Sequence, residues 1–113
     1  MEFIAVFVVV ERGKADSIVE EAKKAGAFGA TILYGRGTGE KEFKKFFNLN
    51  IESSKEVIFI LAERSEKGPI IDALVKAGKL DDPGTGILFT VPVMDLIGLH
   101  HRESIVTKTD NKN

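Results

Sequence analysis

Hydrophobic positions fall into runs of two kinds along this chain. Phe3 to Val10 is apolar almost without interruption and rich in β-branched and aromatic residues, the pattern of a strand covered on both faces. It predicts a first strand with helices against one side and a partner subunit against the other. Ala15, Ile18, Val19, Ala22 and Ala25 then recur at helical spacing, with Asp16, Glu20, Glu21, Lys23 and Lys24 on the remaining surface and Gly26 as the stop. Phe28 to Tyr34, centred on Thr31 and Ile32, predicts a second strand that the glycine-rich Gly35-Arg36-Gly37-Thr38-Gly39 ends. Between Glu40 and Ile51 the pattern is ambiguous. Phe43, Phe46, Phe47 and Leu49 suit one side of a short helix or the anchors of a long loop between strands, and the loop is the preferred reading.

Val57 to Ala62 predicts a third strand. Ile70, Ile71, Leu74, Val75 and Ala77 then form the stripe of a second helix, entered through Gly68-Pro69 and stopped at Gly78. Ile87 to Val91 predicts a fourth strand, broken at Pro92 and followed by a helical turn or short edge piece at Met94-Asp95-Leu96-Ile97. Thr107 to Asn113 is polar, so the expected folded domain spans residues 1–106 and a frayed tail residues 107–113.

The two halves echo one another at an offset of 52 residues, from Phe7 to Phe59. Phe7-Val8-Val9 aligns with Phe59-Ile60-Leu61, Glu11-Arg12 with Glu63-Arg64, Ile18-Val19 with Ile70-Ile71, and Lys24-Ala25-Gly26 with Lys76-Ala77-Gly78. A strand, its charged end, a helix stripe and a helix stop in common register make a repeated β-α-β unit. Two units in tandem predict an α+β fold, the ferredoxin-like β-α-β-β-α-β plan, with a four-stranded antiparallel sheet and both helices on one face. The opposite face then carries apolar side chains that need a second subunit, which argues for an oligomer.

Composition narrows the class. The 113 residues suit one domain, and 16 Lys plus Arg against 17 Asp plus Glu leave a formal net charge of -1. That balance supplies no basic footprint for nucleic acid. The chain has no cysteine, which removes disulfides, thiolate nucleophiles and cysteine metal sites. The apolar N-terminal run has no basic region before it and meets Glu11-Arg12 too soon to span a bilayer, so a cytoplasmic protein outside the membrane is expected.

Two loops are candidates for ligand contact. Gly35-Arg36-Gly37-Thr38-Gly39-Glu40-Lys41 fails both common phosphate-loop patterns: Lys41 precedes Glu42 rather than Ser or Thr, and a dinucleotide fingerprint requires glycine at position 40. Its glycine amides beside Arg36 suit an anion cradle, or simply a flexible exit from the sheet. Asp81-Asp82-Pro83-Gly84-Thr85-Gly86 reads as a ligand-framing loop, with Thr85 and glycine amides as donors and Lys79 as an anion contact, or as a surface turn capped by its own aspartate. Adjacent aspartates alone do not make a hard-cation site. His100 and His101, the two histidines, diverge on an extended backbone and predict a solvent-facing pair. Glu11-Arg12 and Glu63-Arg64 read as strand-end charges that form ion pairs or, the preferred reading, simply as surface charge. Ser17, Ser53, Ser54, Ser65 and Ser104 each lack the surroundings of a nucleophile, and the carboxylates are scattered, so no enzyme is expected.

In order and motif the chain resembles the PII signal-transduction family of nitrogen-regulatory trimers. Gly29-Ala30-Thr31-Ile32 leading to Gly35-Arg36-Gly37 resembles the base of that family's T-loop. Lys76-Ala77-Gly78-Lys79-Leu80 followed by Gly84-Thr85-Gly86-Ile87-Leu88-Phe89-Thr90-Val91-Pro92-Val93 resembles its B-loop and last core strand. The resemblance implies a homotrimer that binds ATP, ADP or AMP in clefts between subunits, often with Mg²⁺ and 2-oxoglutarate in classical members. It also implies a mobile 36–54 loop that signals to a membrane transporter or enzyme. By position, Gly35, Arg36 and Gly37 would face the nucleotide, and Gly78, Lys79, Gly84, Thr85 and Gly86 would frame its phosphates.

The chain departs from the family in ways that bear on the ligand. Gly86 stands where a Gly-Lys-Ile-Gly-Asp-Gly-Lys B-loop has its closing lysine, and Asp81-Asp82-Pro83 makes the loop longer and more acidic. Gly98-Leu99-His100-His101-Arg102-Glu103 replaces an Arg-x-Arg-Thr-Gly-Glu segment. Each lost phosphate cation costs about 1.5–3 kcal/mol of charge-assisted bonding unless something replaces it. The 36–54 loop has no tyrosine for uridylylation. These features predict a divergent PII-like regulator whose ligand is an adenine nucleotide or differs from ATP, as a small anion, another nucleotide or none at all. The rival is a structural or metal-binding oligomer similar to the trimeric divalent-cation-tolerance proteins.

Overall fold

A computed structural model describes residues 2–37 and 53–98. The ambiguous 40–51 stretch, His100, His101 and the 107–113 tail lie outside the described residues.

Along the described chain run β1 (Phe3–Glu11), α1 (Ala15–Lys24), β2 (Thr31–Gly37), β3 (Ser53–Glu63), a 3-10 turn (Arg64–Glu66), α2 (Lys67–Gly78) and β4 (Gly86–Pro92). The strands make one sheet in the order β2-β3-β1-β4, and every neighbouring pair is antiparallel. This is the ferredoxin-like plan that the repeated unit predicts. Strand alternation delivers Ile4, Val6, Val8 and Val10 of β1 and Ile58, Ile60 and Ala62 of β3 to one side. There they meet Ala15, Ile18, Val19 and Ala22 of α1 and Ile70 and Leu74 of α2 in a single core.

The internal echo has a geometric counterpart. Phe7 pairs directly with Phe59 in the central β1/β3 ladder, and these two residues are also equivalent by the repeat. An approximate two-fold axis therefore passes between them. It exchanges the two helices, which pack on each other, and it carries the β2/β3 pair onto the β4/β1 pair.

The other sheet face is apolar and open within one protomer. Phe7 stacks between Phe59, at 5.3 Å between ring centroids, and Phe89, at 5.1 Å. Around them Leu33, Leu61, Ile87 and Val91 are exposed. The second cover expected over the first strand is thus not supplied by this chain's own described elements.

Several element ends differ from the sequence reading by more than one residue or in their physical cause. β2 starts at Thr31 rather than Phe28 and continues through Gly35, Arg36 and Gly37, because these pair with Lys55, Ser54 and Ser53. β3 accordingly starts at Ser53, four residues before the apolar run, so both ends of the expected 36–54 loop are strand. α2 opens at Lys67, with Pro69 inside its first turn, where a missing N–H removes no helical hydrogen bond. Pro92 does not break β4: it pairs with Ile4, and the Val93 N–H donates to the Phe3 carbonyl at 3.1 Å. An edge strand tolerates this proline because its outer side pairs with no other described strand. Residues 93–98 form neither the helical turn nor the strand expected at 94–97.

Candidate functional site

The loop after α2 is built on a left-handed helix cap. Lys79 has φ 52° and ψ 43°; its N–H donates to the Lys76 carbonyl at 3.2 Å, and the Leu80 N–H donates to the Val75 carbonyl at 3.0 Å. This is the bonding of a Schellman cap. The sequence reading put the helix stop at Gly78, but the residue that reverses the chain is Lys79, the only non-glycine residue with positive φ among those described. The echo slips here by one residue, since the first unit reverses at Gly26, with φ 120°.

Gly78 serves packing instead. A Cβ there would lie 3.1 Å from Leu80 Cδ2 and 3.4 Å from Ile18 Cδ1. Gly86 closes the same pocket: a Cβ would stand 2.5 Å from the Val9 carbonyl oxygen and 3.2 Å from Leu80 Cδ2. Leu80 is thus seated between two glycines, and the loop it starts is held down on β1.

Thr85 closes that loop on itself. Its hydroxyl lies 2.7 Å from the Lys79 carbonyl and 3.0 Å from the Asp82 carbonyl, and the Asp82 N–H also donates to the Lys79 carbonyl, at 2.9 Å. The Thr85 proton, expected to face a ligand, bonds within the turn, and the oxygen keeps its acceptor capacity. Lys79, Asp81, Asp82, Pro83 and Gly84 project into solvent. Gly84 has φ 79° with open space where a Cβ would go. One ammonium and two carboxylates therefore share a turn whose backbone is internally bonded.

The second candidate segment ends β2. Gly35 and Arg36 are exposed on this edge strand, and nothing occupies the space beside Gly35. The Arg12 guanidinium lies 5.1 Å from the centroid of the neighbouring Tyr34 ring, a cation–π contact. Across the sheet Lys55 Nζ meets Glu11 Oε2 at 2.7 Å. Glu56, one position on, is buried, and its Oε1 accepts the Ala15 N–H at 2.8 Å, capping the start of α1.

Arg12, Tyr34, Lys55 and Glu56 carry this end of the sheet; of these the sequence singles out only Arg12, as a strand-end charge, and gives Tyr34, Lys55 and Glu56 no role there. One signal was available. Lys55-Glu56 stands immediately before an apolar strand, in step with its alternation, so Glu56 shares the core side with Ile58 and Ile60. A carboxylate on that side requires a buried donor.

Strand register locates the two segments relative to one another. Gly35 pairs with Lys55, Lys55 with Glu11, and Gly86 with Val10 beside it. Gly35, Arg36 and Gly37 thus stand at the same end of the sheet as the 79–86 loop. They stand on opposite edges, however, with β3 and β1 between them. Three interstrand spacings amount to about 14 Å. Within one protomer the candidate residues form two half-sites rather than one.

Among the described residues no three His, Asp or Glu are placed to hold a metal ion. No helix among them is long and apolar enough to cross a membrane.

Comparison with known proteins accounts for nearly the whole chain. The family model described as Nitrogen regulatory protein P-II matches residues 3–103. Among solved structures, PII from Arabidopsis thaliana bound to citrate aligns with a TM-score of 0.70, covering 88% of this chain and 84% of that one at 21% sequence identity. At that identity the likeness bears on the fold. No curated protein matches the chain.

Proposed function

Because the chain belongs to the nitrogen regulatory protein P-II family, and is therefore a regulatory protein rather than an enzyme, we propose that it senses a small ligand in clefts between the subunits of a homotrimer. Gly35, Arg36 and Gly37 of one subunit and Gly78, Lys79, Gly84, Thr85 and Gly86 of the next frame each cleft. The ligand is an adenine nucleotide, ATP, ADP or AMP. Its presence is passed through the 36–54 segment to a regulated transporter or enzyme in the cytoplasm.

The placement of the two half-sites carries this reading. They share one end of the sheet but lie on opposite edges, about 14 Å apart, so a compactly bound ligand contacts both where the β2 edge of one copy approaches the β4 edge of another. The apolar face that each copy leaves open supplies the reason for copies to associate. Arg36 and Lys79 contribute one cation from each side. Asp81 and Asp82 offset that charge, which favours ligands with fewer phosphates over ATP.

Calorimetric titration with ATP, ADP, AMP, cyclic AMP, 2-oxoglutarate and citrate tests the proposal. Saturable binding at one site per subunit is expected for at least one adenine nucleotide, weakened at least about tenfold by Arg36→Ala or Lys79→Ala, the loss of a single charge-assisted bond. No heat with any nucleotide refutes the nucleotide reading.

A further inference from the structure

The end of β2 poses a physical problem that its own sequence does not solve. Gly35 and Gly37 are two of its last three residues, it is an edge strand, and glycine contributes neither side-chain packing nor strand propensity. Such a ladder end should fray, yet pairing runs through Gly35↔Lys55 and Arg36↔Ser54 to Gly37↔Ser53.

Two side chains hold it, one on each face of the sheet. On the helix face, the Arg12 guanidinium covers the Tyr34 ring at 5.1 Å, while the Arg12 backbone N–H donates at 3.1 Å to the carbonyl of Ser54, the β3 residue opposite Arg36. On the open face, Lys55 is laid along the strand. A Cβ on Gly37 would lie 2.7 Å from Lys55 Cε and 3.3 Å from its Cγ. The Lys55 stem thus occupies the space that any other residue at 37 would fill. Its ammonium is anchored at 2.7 Å to Glu11, and its side chain is only 20% exposed, a setting in which an ion pair is worth more than on an open surface.

We propose that Lys55, seated on Gly37 and tied to Glu11, is a positioning residue for Arg36: it pins the last three rungs of the β2/β3 ladder and so fixes where the Arg36 guanidinium is presented. The proposal rests on the reading of Arg36 as a ligand-side residue, and it adds a steric task to the place of Gly37 beside the cleft. It also sets a sign. If Gly37 merely loosens the strand, Gly37→Ala should tighten the ladder, because its φ lies outside the left-handed region and alanine restricts the unfolded chain. If Gly37 is the seat of Lys55, the same change evicts Lys55 from Glu11 and loosens it.

Hydrogen exchange of the assembled full-length protein, followed by mass spectrometry over residues 31–37, decides between them. Lys55→Met keeps the stem and removes the charge; Glu11→Gln removes the anchor. Each should accelerate exchange in this segment about fivefold, the effect of one partly buried ion pair. The double variant should do no more than either single one, Lys55→Arg should restore protection, and Gly37→Ala should accelerate exchange. Core peptides containing Val6, Val8 and Ile58 should be unmoved. Unchanged exchange in Lys55→Met, slower exchange in Gly37→Ala, or acceleration spread equally through the core overturns the proposal. In parallel, ADP should bind Lys55→Met several-fold more weakly than the parent, with no difference between them in an Arg36→Ala background. A parent that takes up no ADP counts against the ADP reading of the cleft and leaves the exchange result to decide the role of Lys55.

Discussion

Removing the Glu56 carboxylate should cost more than any other single charged group on this sheet. Glu56 is 7% exposed, and its Oε1 accepts the Ala15 N–H at 2.8 Å, from 41 residues away in sequence. Ala15 is itself buried and opens α1, so its N–H has no carbonyl within the helix. In Glu56→Ala that donor loses its partner. A lost helix cap costs about 0.5–2 kcal/mol, and a buried unsatisfied donor about 1–3 kcal/mol. These describe one bond from two sides and are not summed; with the void left by the shortened side chain, the loss is about 2–3 kcal/mol. Glu56→Gln keeps an acceptor oxygen and gives up only the favourable placement of a negative charge at a helix start, about 0.3–1 kcal/mol.

Urea denaturation at fixed protomer concentration, needed because association shifts apparent stability, should rank wild type above Glu56→Gln above Glu56→Ala with unchanged m-values. In thermal unfolding the alanine variant should melt roughly 8–12 °C lower, at about 4 °C per kcal/mol for a chain of this size. An alanine variant within about 0.5 kcal/mol of wild type, the range of an ordinary surface change, would refute the assignment of Glu56 as the cap. A glutamine variant as unstable as the alanine one would show that charge, not the hydrogen bond, carries the effect.

Lys79→Gly should stabilise the fold by up to about 1 kcal/mol, since glycine adopts the φ 52° cap without the penalty lysine bears; the same variant should bind nucleotide more weakly, separating the two roles in one protein by melting and titration. Gly86→Ala should cost more than about 2 kcal/mol, because its Cβ would stand 2.5 Å from a backbone carbonyl that cannot rotate away. Gly84→Ala, with φ 79° but open space, should cost only the left-handed penalty of about 1–2 kcal/mol, and equal urea midpoints for the two would contradict the packing argument. Phe89→Asp puts a charge at one end of the Phe59-Phe7-Phe89 stack on the open face; if the proposed homotrimer forms through this face, sedimentation should show the parent as a trimer and the variant as a monomer, and an equal state for both would place any interface elsewhere.

Most of the fold was legible because its signals are periodic and local. The alternation in Phe3 to Val10, the stripes of the two helices and the echo from Phe7 to Phe59 each lie within a short window or repeat at a constant offset, and together they determine the strand and helix order. The open apolar face follows as well, since two helices cover only one side of four strands. The candidate loops were legible as glycine-rich turns by composition alone.

What tertiary structure decided depends on partners far apart in the chain. Nothing around Ser53 announces a strand; it is one because Gly37 lies opposite, and Lys55 and Glu56 are tolerated in it because Glu11 and the Ala15 N–H, 44 and 41 residues away, receive them. The glycines of the 78–86 region looked alike in sequence, yet Gly78 and Gly86 make room for Leu80 while Lys79 takes the strained turn. Above all, sequence order says that two candidate segments exist but not how far apart they stand. Strand order puts β3 and β1 between them, so the two segments stand on opposite edges of one sheet, a separation that the order of residues along the chain does not disclose.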